Sequence, residues 1–222
     1  FDIVPMRDSD SKENVDDADN STSQPSSTAL TQEEQNQQWF EKAEDFYENG
    51  ESAKAAEWYR KAAEQGDAAA QYKLGLMYYL GIGVAKDEAK AVEWYRKAAE
   101  QGDARAQNFL GRMYKEGKGV AQDGAKAAEW FRKAAEQGYA RAQNSLGRMY
   151  KKGKGVAQDD AKAAEWFRKA AEQGHARAQH NLGEMYEEGQ GVGQDDAKAV
   201  EWYRKAAERG DFFAERALEE LK

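Results

Sequence analysis

No cysteine occurs in this 222-residue chain, which excludes a disulfide framework, a thiolate metal site and a cysteine nucleophile. Long apolar runs are missing too. With no stretch near 18 apolar residues and a mean hydropathy of -1.03, nothing in the sequence is fit to span a bilayer as a helix. Nor is there an excess of positive charge. The 33 Lys and Arg against 41 Asp and Glu leave a net -8, which argues against general affinity for nucleic acid or anionic lipid. The first residue is Phe1 and not Met. That absence points to periplasmic or secreted residence after loss of a leader, with a cytoplasmic location as the alternative; the lack of cysteine decides neither.

The charge that is present is unevenly placed. Residues 1–36 hold nine acids against Arg7 and Lys12, a net -7, so the remaining 186 residues carry only -1. Residues 1–30 are rich in Ser, Asp, Asn and Gln without a periodic apolar face, the composition of a disordered acidic tail. Two short patterns fall there. Ser9-Asp10-Ser11-Lys12 matches S-x-x-K but lacks the packed support that a nucleophile requires. Asn20-Ser21-Thr22 is a glycosylation sequon, relevant only in a secreted eukaryotic setting.

From residue 31 onward the chain repeats. Trp58, Trp94, Trp130, Trp166 and Trp202 recur at a spacing of 36, as do Gly66, Gly102, Gly138, Gly174 and Gly210. Self-similarity at such a period is the mark of a solenoid. The aligned units read A-x-A-Q-x-x-L-G-x-M-Y-x-x-G-x-G-V-x-x-D-x-A-K-A-x-E-W-[YF]-R-K-A-A-E-x-G over 68–102, 104–138, 140–174 and 176–210. Each unit holds two amphipathic helical stretches. Ala70, Leu74, Met77 and Tyr78 share one stripe, and Ala91, Trp94, Tyr95, Ala98 and Ala99 share another. Neither stripe can be buried alone, so neighbouring units must supply the missing partners. The spacing predicts burial of Trp94, Trp130 and Trp166 as core residues and not as an aromatic binding ladder.

The turns follow from the same pattern. The Gly81-Ile82-Gly83 run and its counterparts let the chain leave a helix at positive φ, with Val84, Val120, Val156 or Val192 pinning the loop. Asp87, Asp123, Asp159 and Asp195 then stand at helix N-caps. Gly75, Gly111, Gly147 and Gly183 sit inside the first helix, where glycine costs about 0.5 to 1 kcal/mol relative to alanine. Close approach of the second helix is the expected compensation.

This constellation resembles the Sel1-like repeat family, relatives of the tetratricopeptide repeat with a longer turn inside each unit. The resemblance implies an all-α, right-handed α/α superhelical solenoid over 31–222, with units at about 36–66, 67–102, 103–138, 139–174 and 175–210 and a capping helix at 211–222. The first unit departs from the pattern. It lacks five residues in its turn and has Glu44 where later units have glycine. In the last helix Phe212 and Phe213 replace small residues, which marks an apolar contact or a truncated array.

Few residues invite chemistry. Glu57/Lys61, Glu93/Lys97, Glu129/Lys133, Glu165/Lys169 and Glu201/Lys205 form i,i+4 pairs of a solvated face, each contributing about 0.2 to 0.5 kcal/mol. His175, His180 and Glu184 supply two metal ligands at most on one face, short of a site. The G-x-G loops have no P-loop lysine or preceding strand. No cofactor or metal is expected, and no catalytic residue stands out.

The resemblance also places each unit's first helix on the concave wall, where the second, fifth, ninth, twelfth and thirteenth helix positions point into the groove. Those positions are acidic in unit one (Gln38, Glu41, Asp45, Glu48, Asn49) and apolar and aromatic in unit two (Ala69, Tyr72, Leu76, Tyr79, Leu80). They are basic in unit three (Arg105, Asn108, Arg112, Lys115 beside Glu116) and in unit four (Arg141, Asn144, Arg148, Lys151, Lys152). Unit five returns to acid with Arg177, His180, Glu184, Glu187 and Glu188. Arginine forks suit carboxylates and asparagine amides suit peptide backbone, as in the carboxylate-gripping grooves of some tetratricopeptide proteins. The expected partner-binding residues are therefore Tyr72, Tyr79, Arg105, Asn108, Arg112, Lys115, Arg141, Asn144, Arg148 and Lys151. A generic solvated helix face, multiplied by duplication, remains an open alternative on these residues alone.

The expectation is a scaffold or adaptor that holds an extended, partly acidic segment of another protein, with possible competition from its own acidic tail. An exported bacterial factor acting on the envelope or a host is the second reading. The third is enzymatic and comes only from resemblance: cysteine-rich members of the family are linked with β-lactam binding and hydrolysis.

Overall fold

A computed structural model describes residues 30–221. The acidic tail, the S-x-x-K match and the sequon lie outside the described residues. Eleven helices and no strands occur among the described residues: α1 (Gln32–Glu48), α2 (Ser52–Glu64), α3 (Ala68–Leu80), α4 (Glu88–Glu100), α5 (Ala104–Glu116), α6 (Gly124–Glu136), α7 (Ala140–Lys152), α8 (Asp160–Glu172), α9 (Ala176–Glu188), α10 (Asp196–Ala207) and α11 (Phe212–Glu220). Each helix packs against the next, giving a right-handed α/α superhelical solenoid of helix pairs. Glu33 and Glu34 belong to the first turn of α1, where Thr31 and Glu34 form a reciprocal capping box.

The interior glycines answer to the second helices. A β-carbon on Gly75, Gly111 or Gly183 would stand 2.9 Å from Tyr95, 2.9 Å from Phe131 or 2.6 Å from Tyr203. Unit one solves the same contact with chemistry. The Tyr59 hydroxyl donates to Oε1 of Glu44, which also pairs with Lys73 at 2.8 Å, and Lys73 donates to the other oxygen, Oε2, at 3.1 Å. Burial alone would raise the Glu44 pKa, yet its bonds to Lys73 and Tyr59 and the Lys73 charge bring it below the usual carboxylate value.

The tryptophan expectation needs correction. Tyr59, Tyr95, Phe131, Phe167 and Tyr203, each one residue further on, are the fully buried rings. The tryptophans are half-buried at the margin of the stripe. Residues i and i+1 lie about 100° apart on a helix, so both fit one apolar stripe and only one reaches its centre. Lys61, Lys97, Lys133, Lys169 and Lys205 extend over the outer tryptophan faces at 3.8 to 4.3 Å. Their i,i+4 glutamate pairs form only at Glu165/Lys169 and Glu201/Lys205.

Two side-chain ladders fix the stacking. Gln71, Gln107, Gln143 and Gln179 donate to the carbonyls of Ala63, Ala99, Ala135 and Ala171, 3.0 to 3.1 Å away in the preceding helix. The first three also accept from Gln101, Gln137 and Gln173 at 2.7 to 2.8 Å. Arg60, Arg96, Arg132 and Arg168 donate to the hydroxyls of Tyr78, Tyr114, Tyr150 and Tyr186 at 3.1 to 3.2 Å. In the turns, Asp87, Asp123, Asp159 and Asp195 cap their helices as expected. Gly119 (φ +66) shows why its position excludes a side chain: a β-carbon would meet the Glu88 carbonyl oxygen at 2.2 Å.

Candidate protein-binding groove

Side chains of successive first helices meet one another and form a continuous wall. Between α3 and α5, Tyr72 and Tyr79 both pack on Phe109, with ring centroids 5.9 and 6.4 Å apart, and Tyr95 stacks on the same ring at 5.2 Å. The Arg105 guanidinium lies 4.5 Å above Tyr72 and that of Arg112 lies 5.2 Å from Phe109. Phe109, absent from the expected set, is therefore the hinge of the aromatic patch. Its position is occupied by Ser145 in unit four, so the repeat pattern gave no reason to single it out.

Asn108 and Asn144 require a second correction. Both are buried, at 3% and 8% exposure, and cannot present their amides to an extended peptide. Their position faces the seam between adjacent first helices and not the open wall. Asn144 there accepts from Asn181 across the seam at 2.8 Å. Oδ1 of Asn108 has no hydrogen-bond partner.

The cations divide into neutralised and unneutralised sets. Arg105 binds Asp103 at 2.6 Å, Arg112 approaches Glu116 at 4.0 Å, and Lys151 lies 3.4 Å from Glu184 and 3.6 Å from Glu188. No acid stands within ion-pairing distance of Arg141, Arg148 or Lys115 among the described residues. Burial and the charge of Arg148 lower the Lys115 pKa. His180 lies 3.8 Å from Glu184, and no group of three potential metal-binding side chains occurs among the described residues. No helix of the described residues is long and apolar enough to cross a membrane.

The Sel1 repeat model matches five consecutive segments, 46–67, 68–103, 104–139, 140–175 and 176–211. The chain belongs to the Sel1 repeat family. Sel1 repeat proteins are generally non-enzymatic scaffolds of protein–protein interaction. Among solved structures, this Sel1 chain is similar to a protective antigen present in uropathogenic Escherichia coli strains, at 41% identity and TM-score 0.78, over 82% of this chain and 40% of that one. It is also similar to a Sel1 repeat protein from Oxalobacter formigenes, at 44% identity and TM-score 0.70, over 77% of this chain and 49% of that one. An immunity protein from Pseudomonas aeruginosa shares the fold at 26% identity and TM-score 0.52, over 81% and 68% of the two chains. The chain thus spans less than half the length of the first two proteins. Comparison with curated proteins gives no match.

Proposed function

We propose that this Sel1 repeat chain is an adaptor whose first-helix wall holds an extended, partly acidic segment of another protein. The observation that carries this reading is an aromatic patch of α3 and α5, Tyr72, Tyr79 and Phe109, followed on the next first helix, α7, by cations without an acid in ion-pairing distance among the described residues, Arg141 and Arg148. The patch buries apolar side chains of the segment, and the arginine forks take its carboxylates. Arg105, Arg112 and Lys151, already paired, hold the wall's own charge balance and contribute less. The acidic residues 1–29 compete for the same wall.

Affinity capture from native lysate tests the reading. The Arg141→Glu, Arg148→Glu double variant abolishes capture, added salt weakens it, and circular dichroism and melting stay near wild type. Unchanged capture by the double variant rejects the groove. A β-lactam turnover assay separates the enzymatic alternative, and no turnover is expected. The likeness to a protective antigen favours a second setting for the same binding, at the envelope or a host surface. Sequencing the native protein's N-terminus decides whether a leader is removed.

A further inference from the structure

Three equivalent junctions between consecutive units bring the loop glycines Gly119, Gly155 and Gly191 against Glu88, Gly124 and Asp160, and the charges around them differ sharply. Between units two and three the cations have local acids: Lys86 binds Glu88 at 3.1 Å, Lys118 binds Glu116 at 2.7 Å and Arg112 approaches the same Glu116 at 4.0 Å. Between units four and five the balance is reversed, with Lys151 held by Glu184 and Glu188 and with Asp160 beside Gln158. Between units three and four a cavity of about 170 Å³ is lined by Lys115, Arg148, Lys152 and Lys154 with Gln122 and Gly124, and by no acid.

Two substitutions within the repeat create this state. Lys152 stands where units three and five have Glu116 and Glu188, so Lys154 loses the partner that Lys118 keeps. Gly124 stands where the other long units have Glu88, Asp160 and Asp196. The backbone does not demand glycine there, because Glu88 and Asp160 occupy the same place against Gly119 and Gly191. Both changes delete an acid from one cavity. Glu116, next to Lys115 in the chain, pairs with Lys118 at 2.7 Å, and Asp123, between Gln122 and Gly124, caps α6 and pairs with Lys126 at 3.4 Å. The four cations line one cavity on the exposed surface with no acid in its lining; desolvation and then the Arg148 charge lower the Lys115 pKa, with Glu116 opposing the shift and Lys152 adding to it.

We infer that the cleft between units three and four is a binding site for a phosphate group, as the free ion or as a monoester. A single carboxylate neutralises one of the four cations. A phosphate monoester brings about -1.5 to -2 charge and three acceptor oxygens, enough to engage the Arg148 fork and the lysine ammonium groups together. The source of the group is free phosphate or a phosphorylated side chain. The site shares Arg148 with the proposed groove but needs no bound acidic segment, since its other lining residues, Lys115, Lys152, Lys154, Gln122 and Gly124, lie outside the set that carries that reading.

The test is a titration of the isotopically labelled full chain at fixed ionic strength, followed by amide shifts at Gln122, Gly124 and Lys154. The probes are inorganic phosphate, acetate, a phosphoserine peptide and the same peptide unphosphorylated. Saturable shifts with phosphate and the phosphopeptide are expected, with no saturation by acetate. Tighter binding of the phosphopeptide than of phosphate identifies a side-chain source, and the reverse identifies free phosphate. Lys152→Glu and Gly124→Asp each lower phosphate affinity at least tenfold while the fold is kept, because each restores a residue that an equivalent unit already carries. Equal response to acetate and phosphate, or wild-type phosphate affinity in both variants, overturns the site. Arg148 is common to both sites, so the groove is tested separately with Arg141→Glu alone, which should lose partner capture and keep wild-type phosphate affinity.

Discussion

A β-carbon on residue 147 would stand 2.7 Å from the Phe167 ring, so the glycine of α7 and the ring of α8 occupy what would otherwise be one volume. Phe167 is fully buried and cannot swing outward, and the Ala163 carbonyl oxygen closes the other side at 3.2 Å. Gly147→Ala gains about 0.5 to 1 kcal/mol of helix preference. Overpacking costs about 1 to 3 kcal/mol and wins. A net loss of about 1 kcal/mol or more is expected in the denaturant midpoint, and a more stable variant would remove close packing as the reason for the glycine.

The glutamine ladder predicts a change in the opposite direction. Gln179 is buried and its Oε1 has no partner, because Arg209 stands where Gln101, Gln137 and Gln173 supply the donor in earlier units. Arg209→Gln restores the missing bond. A gain of about 1 kcal/mol is expected from satisfying one buried acceptor. Thermal melting reads it, and the double variant with Gln179→Ala should lose the gain.

The repeat period, the helix pairs, the aspartate caps and the glycine–ring contacts were legible because each has a residue type that only one local geometry accommodates. The buried ring was not: Trp130 and Phe131 share a stripe, and the stripe's centre is set by the neighbouring units. Charge in the groove was legible by sign but not by availability. Whether Arg105 or Arg148 is free depends on Asp103 lying beside the first and on Glu116 having become Lys152 beside the second. Asn108 and Asn144 failed for a related reason, since the spacing between adjacent first helices decides whether that helix position opens on the wall or closes in the seam.

His175 gives the fold a pH dependence. It takes the N-cap place held by Asp67, Asp103 and Asp211 in other units, and its Nδ1 accepts from the Ala178 amide at 3.2 Å. Accepting requires the neutral ring. Burial, and then the Arg141 charge, lower its pKa from 6.5, with Arg177 adding to the shift and Asp211 opposing it. The unfolded chain therefore binds a proton before the folded chain does, so the contribution is complete above about pH 6.5 and declines as pH falls toward the lowered value. Denaturant unfolding between pH 7.5 and 5 should show this decline. His175→Asp keeps a cap and should remove that part of the slope; an identical slope in the variant would assign the dependence to other groups.

The acidic N-terminal residues and the unneutralised cations of unit four make competition measurable. Residues 1–29 carry seven acids against two bases, a net -5, and the same chain carries Arg141 and Arg148 without acids beside them. Joining the two in one molecule raises their effective concentration toward millimolar, so even a weak contact is populated. Deleting residues 1–29 should tighten capture of the partner at low salt. The gain should shrink as added salt screens exposed charges beyond about 8 Å at physiological ionic strength. Adding back a peptide of residues 1–29 should reverse the gain and shift the amides of Arg141 and Arg148. Equal affinity with and without the segment, at every salt concentration, would mean that its charge does not reach the wall.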